Sequence, residues 1–144
     1  MKVFTIGFTK SSAEDFFGRL AASGAQRVVD VRLNNTSQLA AFAKRDDLAY
    51  FLRTICAMEY VHVPVLCPTQ DIIDEYRKGG GGWDRFAERY LDLLAEREAE
   101  RHVDPAVLDR GCLLCSEHEP DHCHRRLAVE YLHDKWGDLE ITHL

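Results

Sequence analysis

The chain has 144 residues, 46% of them hydrophobic and 29% charged, and its 24 acidic against 18 basic side chains give a net charge of −6. That is the size of one ordinary domain, able to bury roughly 68–70% of its unfolded surface. The composition excludes a disordered tail, the acidic balance excludes the broad positive field of a non-specific nucleic-acid or membrane-surface binder, and no apolar run approaches the ~20 residues that cross a bilayer. The opening residues, Met1 to Phe8, carry too short an apolar run for a signal peptide and read as a strand, so a soluble, cytoplasmic protein is expected. Five cysteines, an odd number at irregular spacing, predict free thiols in a reducing compartment rather than a disulfide framework.

Val3 to Phe8 mixes β-branched and aromatic residues as a first strand does, and Ser11-Ser12-Ala13-Glu14 has the spacing of a capping box. Ala13, Phe16, Phe17 and Leu20 then recur at helical spacing up to Gly24, placed for a left-handed C-cap. Arg27 to Arg32 is a short apolar run closed by charges, a strand buried on both faces. After a polar stretch over 33–45, Leu48, Phe51, Leu52 and Ile55 repeat at helical spacing behind Asp46-Asp47, whose charge suits a helix N-terminus. Tyr60 to Pro64 predicts a third strand, which the proline ends. Asp71 to Arg77 predicts a short helix broken by the glycines at 79–82, and a long helix then runs from Trp83 to the Arg101 region. Its Trp83, Phe86 and Tyr90 are read as core residues, and the glycine run as a lid or linker, since it lacks the Lys-Ser/Thr ending of a phosphate loop. Cys112 to Cys115 is a strand, Ser116 to His122 a turn with Asp121 as N-cap, and Leu127, Ala128, Tyr131, Leu132 and Trp136 mark a last helix ended by Gly137. Leu139 to Leu144 alternates as a final strand.

Strands alternating with helices predict a single Rossmann-like α/β domain over residues 1–144, a mainly parallel sheet of about five strands with helices on both faces. Ligands of such sheets gather outside the carboxyl ends of the strands. The residues just past three strands are Thr9-Lys10, Asp30-x-Arg32 and Cys115-x-Glu117, and all three face one crevice on this reading.

The densest chemistry is Cys115-Ser116-Glu117-His118-Glu119-Pro120-Asp121-His122-Cys123-His124-Arg125. With Thr5-Ile6-Gly7, Asp30-Val31-Arg32, Tyr60-x-His62-x-Pro64 and the spacing Tyr76, Trp83, Phe86, Tyr90, it resembles the family catalogued as domain of unknown function 488 over nearly the whole chain. Phe8-Thr9 and Cys67 depart from the usual family pattern. The resemblance implies an α/β domain and a site of Asp30, Arg32, Cys115, Glu117, Cys123, His124 and Arg125, and it implies no reaction.

Residue chemistry supplies roles for these positions. Glu117 acts as general acid or base if burial beside Cys115 raises its pKa, with Asp30 the second carboxylate or an ion-pair partner of an arginine. Cys123 sits at a helix N-terminus beside cations, which favours thiolate, or else it anchors the helix as a buried apolar residue; Cys115 closes an apolar strand. Arg32 and Arg125, with His124, Thr9 and the N–H groups that open the last helix, make an anion cradle, and Arg32, Arg125, Asp30 and Glu117 converge into one charge cluster. Cys112-x-x-Cys115 beside His118, His122, Cys123 and His124 invites a zinc reading, but positions i and i+3 of a strand face opposite ways, so no metal and no cofactor is expected. The expected function is an enzyme acting on a small anionic ligand such as a nucleotide or sugar phosphate. The alternatives are a non-catalytic nucleotide or single-stranded nucleic-acid binding module, and a Cys/His metal or redox protein.

Overall fold

In a computed structural model, which describes residues 1–79, 81–117 and 120–144, five strands form one sheet: β1 (Lys2–Gly7), β2 (Arg27–Asp30), β3 (Glu59–His62), β4 (Gly111–Cys115) and β5 (Glu140–His143). The order across the sheet is β3-β2-β4-β1-β5 and every neighbouring pair is parallel. β4 therefore lies between β2 and β1, so the α/β class holds while the Rossmann likeness is loose.

The helices follow from this order. Parallel crossovers are right-handed, so the direction in which the chain steps across the sheet decides the face that each connection covers. The steps β1 to β2 and β2 to β3 go one way, and α1 (Ala13–Ser23) and α2 (Arg45–Cys56) pack Phe16, Phe17, Leu20, Leu48 and Leu52 against Phe4, Ile6, Val28, Cys112 and Leu114. The steps β3 to β4 and β4 to β5 go the other way. There α3 (Gln70–Arg77), α4 (Gly82–Glu96), α5 (Ala99–His102), α6 (Pro105–Leu108) and α7 (His124–Trp136) bury Ile72, Phe86, Tyr90, Leu94, Leu108 and Leu132 against Val3, Val29, Leu113 and Cys115. The full burial of β4 is that of a strand covered on both faces.

The Ser12 hydroxyl caps α1 by accepting from the Asp15 N–H, and Gly24 closes that helix at φ 84°. Over 33–45 the chain makes tight 3-10 turns across Gln38–Ala43. The single long helix expected from Trp83 to the Arg101 region is instead two, since the chain leaves α4 at Arg97 and Glu98 turns left-handed at φ 51° before α5; Pro105 then opens α6 beyond it. No helix among the described residues is long and apolar enough to cross a membrane.

Gly7, the last residue of β1, lies where the loop leaving β4 crosses it. A Cβ there would fall on the Glu117 carbonyl and within 2.7 Å of Arg125 Nη1. Gly7→Ala is therefore expected to cost about 3 kcal/mol or more, since backbone cannot yield as a flexible side chain can. Gly18→Ala, on an exposed turn of α1 with nothing within 4 Å of the added methyl, is expected to gain roughly 0.5–1 kcal/mol. Urea midpoints of the two variants check both signs.

Candidate functional site

β2 and β4 are neighbours whose chains leave toward opposite faces, the arrangement that opens a crevice at the carboxyl edge of a parallel sheet. A cavity of about 140 Å³ lies there. One wall is the segment after β2, Arg32 to Asn34; the floor is Cys115, Cys123 and His124; the loop after β4 contributes Ser116, Glu117 and His122; and α3 and α4 bring Tyr76, Arg77, Trp83 and Phe86. On the β1 side the Thr9 N–H and hydroxyl both donate to the Ser116 carbonyl and tie the two loops together. Thr9 is thus a loop fastener outside the cavity rather than part of an anion cradle.

Asp30 and Arg32 form the buried polar centre of the edge, 0% and 3% exposed. Arg32 donates from Nε to Oδ1 at 2.8 Å and from Nη2 to Oδ2 at 2.9 Å, and its backbone N–H donates to Oδ1 at 3.1 Å. Tyr60 donates its hydroxyl to Oδ2 at 2.5 Å, and Asn35 Nδ2 lies 3.3 Å from the same oxygen. Burial pushes the Asp30 carboxyl up, but the hydrogen bond and charge of Arg32, with Tyr60 and the Arg32 N–H, outweigh it and hold the group below its usual value. Burial and the same hydrogen bond to Asp30 push the Tyr60 phenol up. A carboxylate so fully engaged is a positioning group, so the catalytic role expected for Asp30 passes to the ion-pair alternative. The Arg32 guanidinium, by contrast, is half used: its Nη1 is buried and has no hydrogen-bond partner among the described residues.

Arg125, 2% exposed, is held elsewhere. It donates from Nη1 to the Glu117 carbonyl and toward Cys115 Sγ at 3.3 Å, and from Nε to Thr5 Oγ1 at 3.4 Å. Those contacts lie on the α7 side of the sheet, whereas Arg32 is held by Asp30, with its Cζ 5.4 Å from the centre of the Phe8 ring. In place of the expected cluster of Arg32, Arg125, Asp30 and Glu117, the hydrogen bonds of the described residues join Arg32 to Asp30 and Arg125 to the Glu117 carbonyl, Cys115 and Thr5. Alternation along a strand separates them: Asp30 shares its side with Val28, and Cys115 shares its side with Leu113.

Cys123, not Asp121, is the N-cap residue of α7. Cys115 and Cys123 are joined as a disulfide, while Cys56, Cys67 and Cys112 are free. The expectation of free thiols is met at Cys56, Cys67 and Cys112 and unconfirmed at Cys115 and Cys123, because β4 ends at Cys115 and α7 begins just past Cys123, so the return of the chain onto the sheet brings the two sulfurs together. Cys112 packs in the α1 and α2 core and Cys115 in the opposite one, so those two thiols do face apart. Burial, with the charge of Asp30, pushes the Cys67 thiol up to about 12. His124 Nε2–H donates to the Val31 carbonyl at 2.7 Å, and burial lowers its pKa to about 4, so the ring is neutral with Nδ1 bare. Glu117 is exposed at the cavity mouth rather than buried beside Cys115. His118, Glu119 and Gly80 lie outside the described residues.

A family described as a domain of unknown function, DUF488, matches residues 12–132. The chain belongs to the DUF488 family. Comparison with curated proteins and with solved structures gives no match. Of the positions expected in this DUF488 domain, Arg32, Cys115, Glu117, Cys123 and His124 line one cavity, while Asp30 and Arg125 support it from behind. Trp83 and Phe86, read from sequence as core, form its aromatic wall, with the His122 ring stacked 5.2 Å from Trp83. Asn35 carried no signal in the sequence. Tyr60 did, since it stands on the strand next to Asp30 within the Tyr60-x-His62-x-Pro64 motif.

Two outcomes are expected. Asp30→Asn or Asp30→Ala leaves a buried guanidinium unpaired and costs about 3–5 kcal/mol in chemical denaturation, whereas Tyr60→Phe removes one of several donors and costs about 1–2 kcal/mol. His124 binds its proton in the unfolded chain near pH 6.5 but in the folded one only near 4, so stability is full above pH 6.5 and falls as pH drops between those values. Burial lowers the His143 pKa too, and it acts with the same sign. Melting temperatures across that range flatten in His124→Gln, which keeps a donor for Val31 and cannot titrate, and the slope left is that of His143 and other groups.

Proposed function

We propose that this DUF488 domain is an enzyme that binds a small anionic molecule with a planar group, a nucleotide before a sugar phosphate, at the carboxyl edge of β2 and β4. The observation that carries the reading is the Arg32 guanidinium, fixed by Asp30 with Nη1 left over, in the lining of a cavity whose other wall is aromatic. A guanidinium held in one orientation by a carboxylate is a strong receptor for phosphate oxygens, and a ligand that reaches the buried Nη1 gives it the acceptor it lacks among the described residues. Arg77 at the mouth adds a second positive charge. Tyr76, Trp83 and Phe86 give the cavity an aromatic lining against which a base can pack, and a full base–aromatic stack is worth about 1–3 kcal/mol. Glu117 is the ionisable carboxyl at the mouth, and on this reading it moves the proton during turnover.

The expected result is a rise in melting temperature with increasing phosphate and a larger rise with a nucleoside monophosphate. Arg32→Lys keeps the charge but loses Nη1, and weakens both ligands about 10-fold or more. Trp83→Ala weakens the nucleotide alone by about 10-fold. Glu117→Gln leaves binding intact. Turnover lost in that variant marks an enzyme; a nucleotide bound but never turned over marks a binding module. No shift with either ligand in the folded wild type overturns the reading.

A further inference from the structure

Cys115, Cys123 and His124 meet at the floor of the cavity in a way that the anion reading leaves unused. Both sulfurs and a ring nitrogen of His124 lie within 4.8 Å of one another. We propose that, with the disulfide reduced, these three side chains form a Cys2His site for a thiolate-seeking divalent cation of the zinc class, its fourth position open to the crevice.

Four observations converge on this. First, the backbone spacing suits a bridging ion. The Cα atoms of Cys115 and Cys123 are 7.2 Å apart, beyond the roughly 4.4–6.8 Å that a disulfide usually spans. A cation between two thiolates adds two metal–sulfur bonds of about 2.3 Å in place of one sulfur–sulfur bond of about 2.05 Å, and that extra reach fits the wider separation. Second, His124 has the hydrogen-bond support typical of a ligating histidine. Its Nε2–H is committed to the Val31 carbonyl at 2.7 Å, which leaves Nδ1 as the nitrogen with a lone pair, and the Tyr90 ring packs against it edge to face at 5.4 Å. Third, Arg125 Nη1 stands 3.3 Å from Cys115 Sγ and favours the thiolate, while Cys123 lies at the positive end of the thirteen-residue α7. Fourth, all three donors line the cavity, so water or an anionic ligand can complete a tetrahedron.

Strand alternation keeps Cys112 out of this site, since its thiol and that of Cys115 face opposite cores. Cys123 takes the place of Cys112 because it arrives from α7 rather than from β4. The redox step balances with a phosphine as reductant. The phosphine takes oxygen from water to become its oxide, and the two electrons and two protons convert the disulfide to two thiols. Binding of the divalent cation then releases those two protons to solvent.

The test is a cobalt(II) titration of metal-free protein reduced with a water-soluble phosphine, followed by absorbance. The expected result is saturation at one cobalt per chain, with a near-ultraviolet thiolate-to-cobalt charge-transfer band and the intense visible bands of four-coordinate cobalt, all bleached by zinc(II). Cys123→Ser is expected to halve the charge-transfer band and weaken binding about 10-fold or more, His124→Gln to weaken binding with the band retained, and Cys112→Ser to change nothing. Unreduced protein gives no band. The wild-type titration decides even where a variant fails to fold: reduced wild type without the band overturns the site, as does a band that survives Cys115→Ser and Cys123→Ser together. Phosphate-dependent melting of the unreduced protein is independent of this outcome, so loss of one proposal is distinguishable from loss of the other.

Discussion

The handedness of parallel crossovers is the constraint from which the rest of the molecule follows. Steps from β1 to β2 and β3 can cover only one face, and steps from β3 to β4 and β5 only the other. Both faces of the sheet are thereby closed, and the carboxyl edge between β2 and β4 is left as the place where the chain parts. Arg32 and Glu117 come to one cavity because they follow two adjacent strands whose connections diverge, although the described sequence between them holds β3, β4 and the helices α2 to α6. The β1 side of that edge is closed by Gly7 and Thr9 against the β4 loop, which confines the opening to the side that holds Arg32.

Within that edge the Asp30–Arg32 pair is better understood as a positioning device than as a source of stability. Two charges removed from water lose several kcal/mol each, and their attraction in a poor dielectric roughly offsets this. What the pair secures is asymmetric. The carboxylate receives Arg32 three times and Tyr60 and Asn35 once each, while the guanidinium retains an unused Nη1. Tyr60 and Asn35 matter because they hold the carboxylate in the plane that meets Nε and Nη2, and so fix where Nη1 lies.

The five strands and the principal helices were legible because their signals are local: β-branched runs, the Ser12 cap, Gly24, Pro64 and the apolar spacing of α1 and α7. The break at Glu98 was not, since helical spacing runs on through it and only the left-handed turn at φ 51° interrupts it. Site membership was legible for the residues just past β2 and β4, where the carboxyl-edge rule applies directly. Side-chain direction was not. Arg32 and Arg125 were expected together because both sit at the same edge, yet strand alternation and the nearest carboxylate turn them apart. Trp83 and Phe86 show the opposite case, because helical spacing predicts a packed face without saying that the face lines a cavity. The pairing of Cys115 with Cys123 needed the return of α7 onto the sheet, which no count of cysteines contains.

The Cys115–Cys123 connection has a further consequence for the mouth of the cavity. The two cysteines are separated by eight positions, and the loop between them carries Glu117 and His122, both of which line the crevice. A cross-link over so short a span fixes both ends of that loop, and restricting the ends of a loop removes conformational freedom from everything it carries. The cation site proposed for Cys115, Cys123 and His124 would fasten the same two ends and add the first residue of α7, so the oxidised and the metal-bound chain would share one constraint reached by different chemistry. Only the reduced, metal-free chain releases it. In that state Arg32 keeps its place, since Asp30, Tyr60 and Asn35 hold it from the β2 side, while Glu117 and His122 lose the anchor on which their alignment depends. The two halves of the crevice are thus held by separate interactions, an ion pair on one side and a sulfur pair on the other, and a change in one alters the alignment of the mouth without removing the buried guanidinium.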